Sequence, residues 1–297
     1  MKRRDFIKAS SLCAVAVSTS GFVFRKGKQF VGDCETTTDI LGPYYRPNSP
    51  LRNNFLISGD AGEIVQLTGV IKHKDCITPY GQAKIELWHC NNKGEYDNHS
   101  EDYKYRGTAF SDSSGQYQFK TILPVPYDVG DGTMRPAHFH LMITAPGYQS
   151  LITQLYFTGD PFIKDDPPAS EAAASRRILK IATLKSGTKR VRFDVSMSSH
   201  LKVSLPVLDK LTGTYMDQTD NTKKSEFFKR NDQLWKKTDV FGTLYEYVGD
   251  NTFRFTGVIY RTILSHFEIM PDKSIRLTET ITSRNGDKRT SVSLKQA

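Results

Sequence analysis

The sequence predicts an all-β protein: a β-sandwich with one short helix, followed by a small antiparallel, barrel-like domain. Two observations carry that expectation. From Val65 to Ile122, apolar and polar residues alternate with period two between clusters of Gly, Pro, Asp and Ser, the pattern of strands with one buried face. After residue 205 the chain reads as hairpin after hairpin, with Asn, Asp and Gly at the turns, residue types that tolerate positive φ.

The first element is an address. Lys2-Arg3-Arg4-Asp5-Phe6-Ile7-Lys8 precedes a weakly apolar run from Ala9 to about Phe24, the order of an export signal. The paired arginines followed by Phe-Ile-Lys resemble a twin-arginine signal, so residues 1–32 are read as export signal and linker, with a periplasmic destination. That segment also explains the charge. The net is +9, but residues 1–32 hold seven bases and one acid, and residues 33–204 are neutral at 19 against 19. A nucleic-acid binder concentrates charge on its folded part, so nucleic acid is excluded as a partner. Mean hydropathy is −0.47, and no apolar run approaches the roughly 20 residues of a membrane span. Cys34, Cys76 and Cys90 follow the signal; three is odd, so one thiol stays free or pairs between chains, and a Cys34–Cys76 bridge is left open.

Residues 33–203 form the predicted sandwich. Its strands include Val65–Ile71, Ala83–Trp88, Gln116–Ile122 and Arg192–Val195. The one clear helical stretch runs from Ser170, a plausible N-cap, to about Ile181. Residues 204–297 form the second domain, read as a packing or oligomerisation module, with an apolar-ligand barrel as the other use. A homo-oligomer is left open.

The chemistry centres on Arg135-Pro136-Ala137-His138-Phe139-His140. On a strand, His138 and His140 share a face, while Phe139 and Leu141 point to a core. Two imidazoles fixed side by side offer a platform for a transition metal. Neither H-E-x-x-H nor C-x-x-C accompanies them, so zinc hydrolase patterns are missing. Tyrosine is what lies upstream. A phenol with pKa about 10 ionises near neutrality only beside a strong Lewis acid, and hard phenolate suits ferric iron. The residues themselves leave Tyr96, Tyr127, Tyr103, Tyr105 and Tyr117 as alternatives.

Several stretches, taken together and in order, resemble the intradiol ring-cleavage dioxygenases, the catechol 1,2-dioxygenase and protocatechuate 3,4-dioxygenase family. They are Gly42-Pro43-Tyr44-Tyr45, Glu86-Leu87-Trp88 with Gly94-Glu95-Tyr96, Pro124-Val125-Pro126-Tyr127, the Arg135–His140 run, Ile152-Thr153-Gln154, and Arg192-Phe193-Asp194. The resemblance covers about residues 38–195 and not residues 205–297. It implies one Fe(3+) held by Tyr96, Tyr127, His138 and His140. It implies that a catechol-type diol and O2 are the substrates, and that the ring opens between the hydroxyls to a cis,cis-muconate. It makes Tyr127 the base that leaves the metal, gives Arg135 the stabilisation of negative charge, and places Tyr44 and Gln154 along the substrate pocket, with Tyr45 an alternative to Tyr44.

Two other classes compete. Thr68–Ile71, Ile85–Trp88 and Ser111–Phe119 also look like extracytoplasmic transthyretin-like modules, which bind or space without catalysis. The tyrosine and histidine set discriminates, because a spacer has no reason to carry it. A two-histidine ferrous oxygenase needs a carboxylate beside the pair, and Asp128 is the near acid.

Overall fold

A computed structural model describes residues 35–130, 132–198, 203–257, 261–283 and 285–296, with the backbone of 17–18, 21–26 and 29–33. The paired arginines Arg3 and Arg4 lie outside the described residues. Among those described, no helix is long and apolar enough to cross a membrane.

Residues 64–196 build two packed five-stranded sheets. The labelled strands are β1 (Ile64–Lys72), β2 (Lys84–Trp88), β3 (Arg106–Phe110), β4 (Gln116–Ile122), β5 (His138–Thr144) and β6 (Leu151–Phe157). One sheet runs Ile178–Leu179, β6, β5, β2, β3. The other centres on β1, which pairs with β4 on one side and with Lys189–Arg192 and Val195–Ser196 on the other. The alternation of β1 turns Val65, Leu67 and Ile71 inward, where they meet Ile85, Leu87, Phe119, Phe139, Leu141 and Leu155.

The helical segment departs from expectation. Helix α1 is Pro167–Ser170, and it starts earlier because Asp166 caps it, its carboxylate accepting from the Ala169 N–H at 3.0 Å. Pro167 at the first helical position suits a fixed φ and needs no donor. Ser170 is therefore the last residue of the helix and not its cap. Ala172–Arg177 continues as a 3-10 helix, and Ile178 is already extended, paired with Tyr156. The buried Arg177 guanidinium reaches Asp39 and Thr37, which turns the chain back to the sheet. The expected strand through Arg192–Val195 is likewise interrupted between Arg192 and Val195.

A second helix, α2 (Leu205–Leu211), leads out of the sandwich, an element that the sequence reading did not include. It buries Leu208 and Leu211 in the interior of a closed barrel. The barrel strands are β7 (Gly213–Asp217), β8 (Lys224–Arg230), β9 (Gln233–Lys237), β10 (Gly242–Gly249), β11 (Thr252–Phe255), β12 (Arg261–Ile269), β13 (Ile275–Ser283) and β14 (Lys288–Lys295). β7 pairs with β14 and closes the ring, removing both sheet edges. Asn231-Asp232 and Asp250-Asn251 take positive φ at two of its hairpins, as tight turns require.

Candidate metal centre

Sheet register lays out the site. His140 stands opposite Gln154 of β6 on one side and Trp88 of β2 on the other, and Trp88 in turn pairs with Arg106 of β3. One row across four strands is therefore Arg106, Trp88, His140, Gln154. The next row pairs His138 with Tyr156. Side-chain alternation puts Phe139 and Leu141 into the sandwich core and both histidines on the other face, and all four are buried.

Three donor atoms converge. Tyr96 Oη lies 3.3 Å from His138 Nε2 and 3.1 Å from His140 Nε2, and the two Nε2 atoms are 3.1 Å apart. His138 Nδ1 sits 2.7 Å from the Pro136 carbonyl oxygen, which can only accept. Nδ1 therefore carries the proton, and Nε2 presents a lone pair toward the others. Among the described residues nothing satisfies His140 Nδ1, and its Nε2 turns to the same point as His138 Nε2 and Tyr96 Oη. Two nitrogens each about 2.0–2.1 Å from one ion stand about this far apart, so the donors fit a metal. Tyr127 completes the group, its ring 5.6 Å from that of Tyr96 and 5.7 Å from that of His138.

Burial sets the protonation states. It pushes the Tyr96 phenol well above its usual value and Tyr127 up to about 12, with Arg135 pulling Tyr127 back. It drives His138 down to about 3 and His140 well below the ordinary imidazole value. Both imidazoles are thus neutral and ready to ligate. The phenols ionise only if a strong cation sits beside them.

The loops that deliver the tyrosines depend on close approach. Gly94 has φ +81°, and a Cβ there would lie 2.6 Å from Cβ of Tyr127, so only glycine lets the Tyr96 loop meet the Tyr127 segment. Arg106 holds that loop from below. Its buried guanidinium donates to the carbonyls of Asp97 (2.7 Å) and Tyr44 (2.6 Å) and to Asn98 Oδ1 (2.9 Å). Tyr44 stacks on Tyr96 at 4.4 Å, while Tyr45 turns away and donates to Glu86. Between the alternatives for a pocket residue, the geometry favours Tyr44.

Arg135 pairs with Tyr127 across a two-stranded ribbon. Its Nη2 donates to Gln154 Oε1 at 2.8 Å, and its Nε lies 2.5 Å from Asp166 Oδ2. Tyr156 Oη lies 3.0 Å from both Gln154 Oε1 and Asp39 Oδ2, with one hydrogen to donate, and Gln154 Nε2 donates to the Ile40 carbonyl. Asp39 also meets the buried Arg177. Arg106, Asp166, Asp39 and Arg177 went unread in the sequence, and Tyr156, part of a stretch that carries the resemblance, was given no role. Asp166 had a local signal, the Asp-Pro-Pro of a helix start; the others act over long sequence separations.

Asp128, the near acid, is exposed and accepts from the Gly130 N–H. Among the described residues no group of three or more His, Cys, Asp or Glu gathers to hold a metal, so a two-histidine, one-carboxylate centre does not form there. Cys90 is free and buried, and Cys76 is disulfide-bonded.

Comparison with known proteins points the same way. A family model described as dioxygenase matches residues 40–199 and ends before the barrel. A chlorocatechol 1,2-dioxygenase of Rhodococcus opacus is 32% identical over 169 residues, which are 49% of this chain and 65% of that protein. A catechol 1,2-dioxygenase of Pseudomonas sp. strain EST1001 is 34% identical over 151 residues, 44% of this chain and 50% of that one. The chain thus spans between half and 65% of the length of these relatives. The structure of catechol 1,2-dioxygenase from Acinetobacter sp. ADP1, inhibited by bound mercury, aligns with TM-score 0.51 and 26% identity over 56% of this chain and 63% of that one.

Proposed function

The chain belongs to the intradiol dioxygenase family, and from that premise we propose that it holds one ferric ion and opens a catechol-type ring between its two hydroxyls, yielding a cis,cis-muconate-type diacid. The observation that carries this is the meeting of Tyr96 Oη, His138 Nε2 and His140 Nε2 at 3.1–3.3 Å, with Tyr127 alongside and no carboxylate in the set. Ferric iron held there would supply Lewis acidity, lowering the cost of ionising a diol and favouring reaction of O2 at a carbon bearing oxygen.

The protein's own groups do the rest. The four ligands are Tyr96, Tyr127, His138 and His140. While the histidines sit on β5, we assign Tyr127, which sits on a two-residue ribbon strand paired with Arg135, as the ligand that gives way to the diol. Its Oη takes a proton from the incoming diol. Arg135 is turned toward this region by Gln154 and Asp166, so its positive charge faces the oxygen that becomes negative as the ring ketonises. Tyr44, stacked on Tyr96, provides a flat wall for an aromatic ring. A non-catalytic transthyretin-like module would not carry these groups.

The test is the product. Catechol with isotopically labelled O2 should give an ultraviolet-absorbing muconate carrying both atoms of one O2 molecule. A yellow semialdehyde from the pure enzyme would overturn the ring-opening position.

Export through a twin-arginine route is proposed as well, supported by Arg3 and Arg4 and by the disulfide at Cys76, which suits an oxidising compartment. Replacing both arginines with lysine should strand the precursor in the cytoplasm; undiminished export would remove the argument.

A further inference from the structure

A short stretch of chain, residues 40–45, fills the space between the barrel and the metal ligands. On the barrel side, Trp235, Leu244, Phe228 and Phe241 form one apolar cluster with Leu41, Tyr45 and Trp88. The Tyr45 ring is 5.6 Å from Trp235 and 6.0 Å from Phe241, and 5.2 Å from Trp88. Trp88 in turn lies flat on His140, the rings 4.9 Å apart and 6° from parallel. The backbone is tied at both edges as well. The Leu41 N–H donates to the Thr256 carbonyl of the barrel at 2.8 Å, and the Ile40 carbonyl accepts from Gln154.

On the ligand side the same residues touch the centre. Gly42 has φ +73° and presses on His140; a Cβ there would come within 3.2 Å of Cε1. Tyr44 stacks on Tyr96. On the outward face of β9, Trp235 is shielded from solvent, while Lys237 on the same face stays exposed. Trp235 is fully buried, with its indole N–H satisfied by the Arg230 carbonyl at 3.2 Å. A tethered module of independent function has no need of a fully buried indole facing its neighbour, and burying one stabilises an interface by roughly the apolar area removed from water.

We propose that the barrel is a positioning module of the metal centre, with Trp235 as its key positioning residue. Acting through Tyr45, Trp235 clamps residues 40–45, which hold Gly42 against His140 and Tyr44 against Tyr96. The catalytic consequence rests on the iron reading; the clamping does not.

The test uses the full chain carrying Trp235→Ala. In the metal-free protein, amide hydrogen exchange of the 40–45 segment should speed up roughly tenfold, as local opening becomes easier. In the iron-loaded protein, iron should bind roughly tenfold more weakly, the low end of what losing an outer support costs, and the visible band should shift. Trp235→Phe should restore most of both. Phe267→Leu, inside the barrel and away from this cluster, should lower the melting temperature and leave residues 40–45 and the band unchanged. Should Trp235→Ala fail to fold, Phe241→Ala at the edge of the same cluster gives a milder form of the same result. Unchanged exchange in residues 40–45, or an equal loss in Phe267→Leu, would overturn the proposal. Failure of the wild type to take up iron would instead sink the iron reading, and the exchange result would still decide this one.

Discussion

Strand β5 of the sandwich buries six of its seven residues, and both of its faces are covered. Strand β12 of the barrel alternates from Thr262 to Phe267, with Ile263, Ser265 and Phe267 buried and Thr262 and Leu264 exposed. The difference is that β5 has a second roof. Its inner face meets the sandwich core, and its other face lies beneath residues 40–45, behind which the barrel wall stands. That second buried face is where the polar groups are: His138, His140, Gln154, Tyr156 and Arg135. The barrel interior is dominated by rings, with Tyr215, Phe227, Tyr245, Phe253 and Phe267 in edge contact at 5.2–5.6 Å. Burying polar groups is costly unless each finds a partner. The sandwich bears that cost around the candidate ligands, whereas the barrel packs mainly rings and satisfies buried polar groups locally, Tyr215 on the Leu211 carbonyl and Tyr245 and Ser265 on Glu279.

The contrast can be broken most severely at Arg135. Replacing it with alanine leaves Asp166 buried and unpaired, and should cost about 3–5 kcal/mol of stability. Turnover should fall with it, measured as kcat for catechol alongside a denaturant titration. Gly94→Ala comes next. Placing a side chain at φ +81°, against Tyr127, should cost at least about 1–2 kcal/mol, and should weaken iron uptake because the two tyrosines are pushed apart. Phe267→Leu in the barrel core should lower stability by about 1–2 kcal/mol with the visible spectrum unmoved. The smallest effect belongs to Arg276→Ala. Its pair with Glu268 lies on the barrel surface, with both side chains more than 40% exposed, so thermal melting should show less than about 1 kcal/mol of change.

How legible this was in the sequence follows the same division. Period-two alternation exposed the strands of both units, and Asn231-Asp232 and Asp250-Asn251 marked hairpins that the structure contains. His138 and His140 were legible because two residues on one strand must share a face. Arg106 was not, because its partners Tyr44 and Asn98 are set by strand pairing across the sheet and by loop packing, and no local pattern encodes that. The helix was misplaced because Asp166-Pro167-Pro168 reads equally as the end of a loop and as a capped start. Nothing in a hairpin pattern reveals which outward residues will be buried by a neighbour, so Trp235 read as an ordinary strand residue and its place behind Tyr45 emerged only from the fold.

The central claim is that two tyrosinates and two imidazoles hold ferric iron in the sandwich. The most direct measurement is the visible spectrum and iron content of the iron-loaded protein beside those of the His138→Ala/His140→Ala double variant. One iron per chain with a burgundy tyrosinate-to-iron absorption in the wild type, and loss of both in the double variant, is the expected result. A pale wild-type protein, or a double variant that keeps full iron and colour, would contradict it.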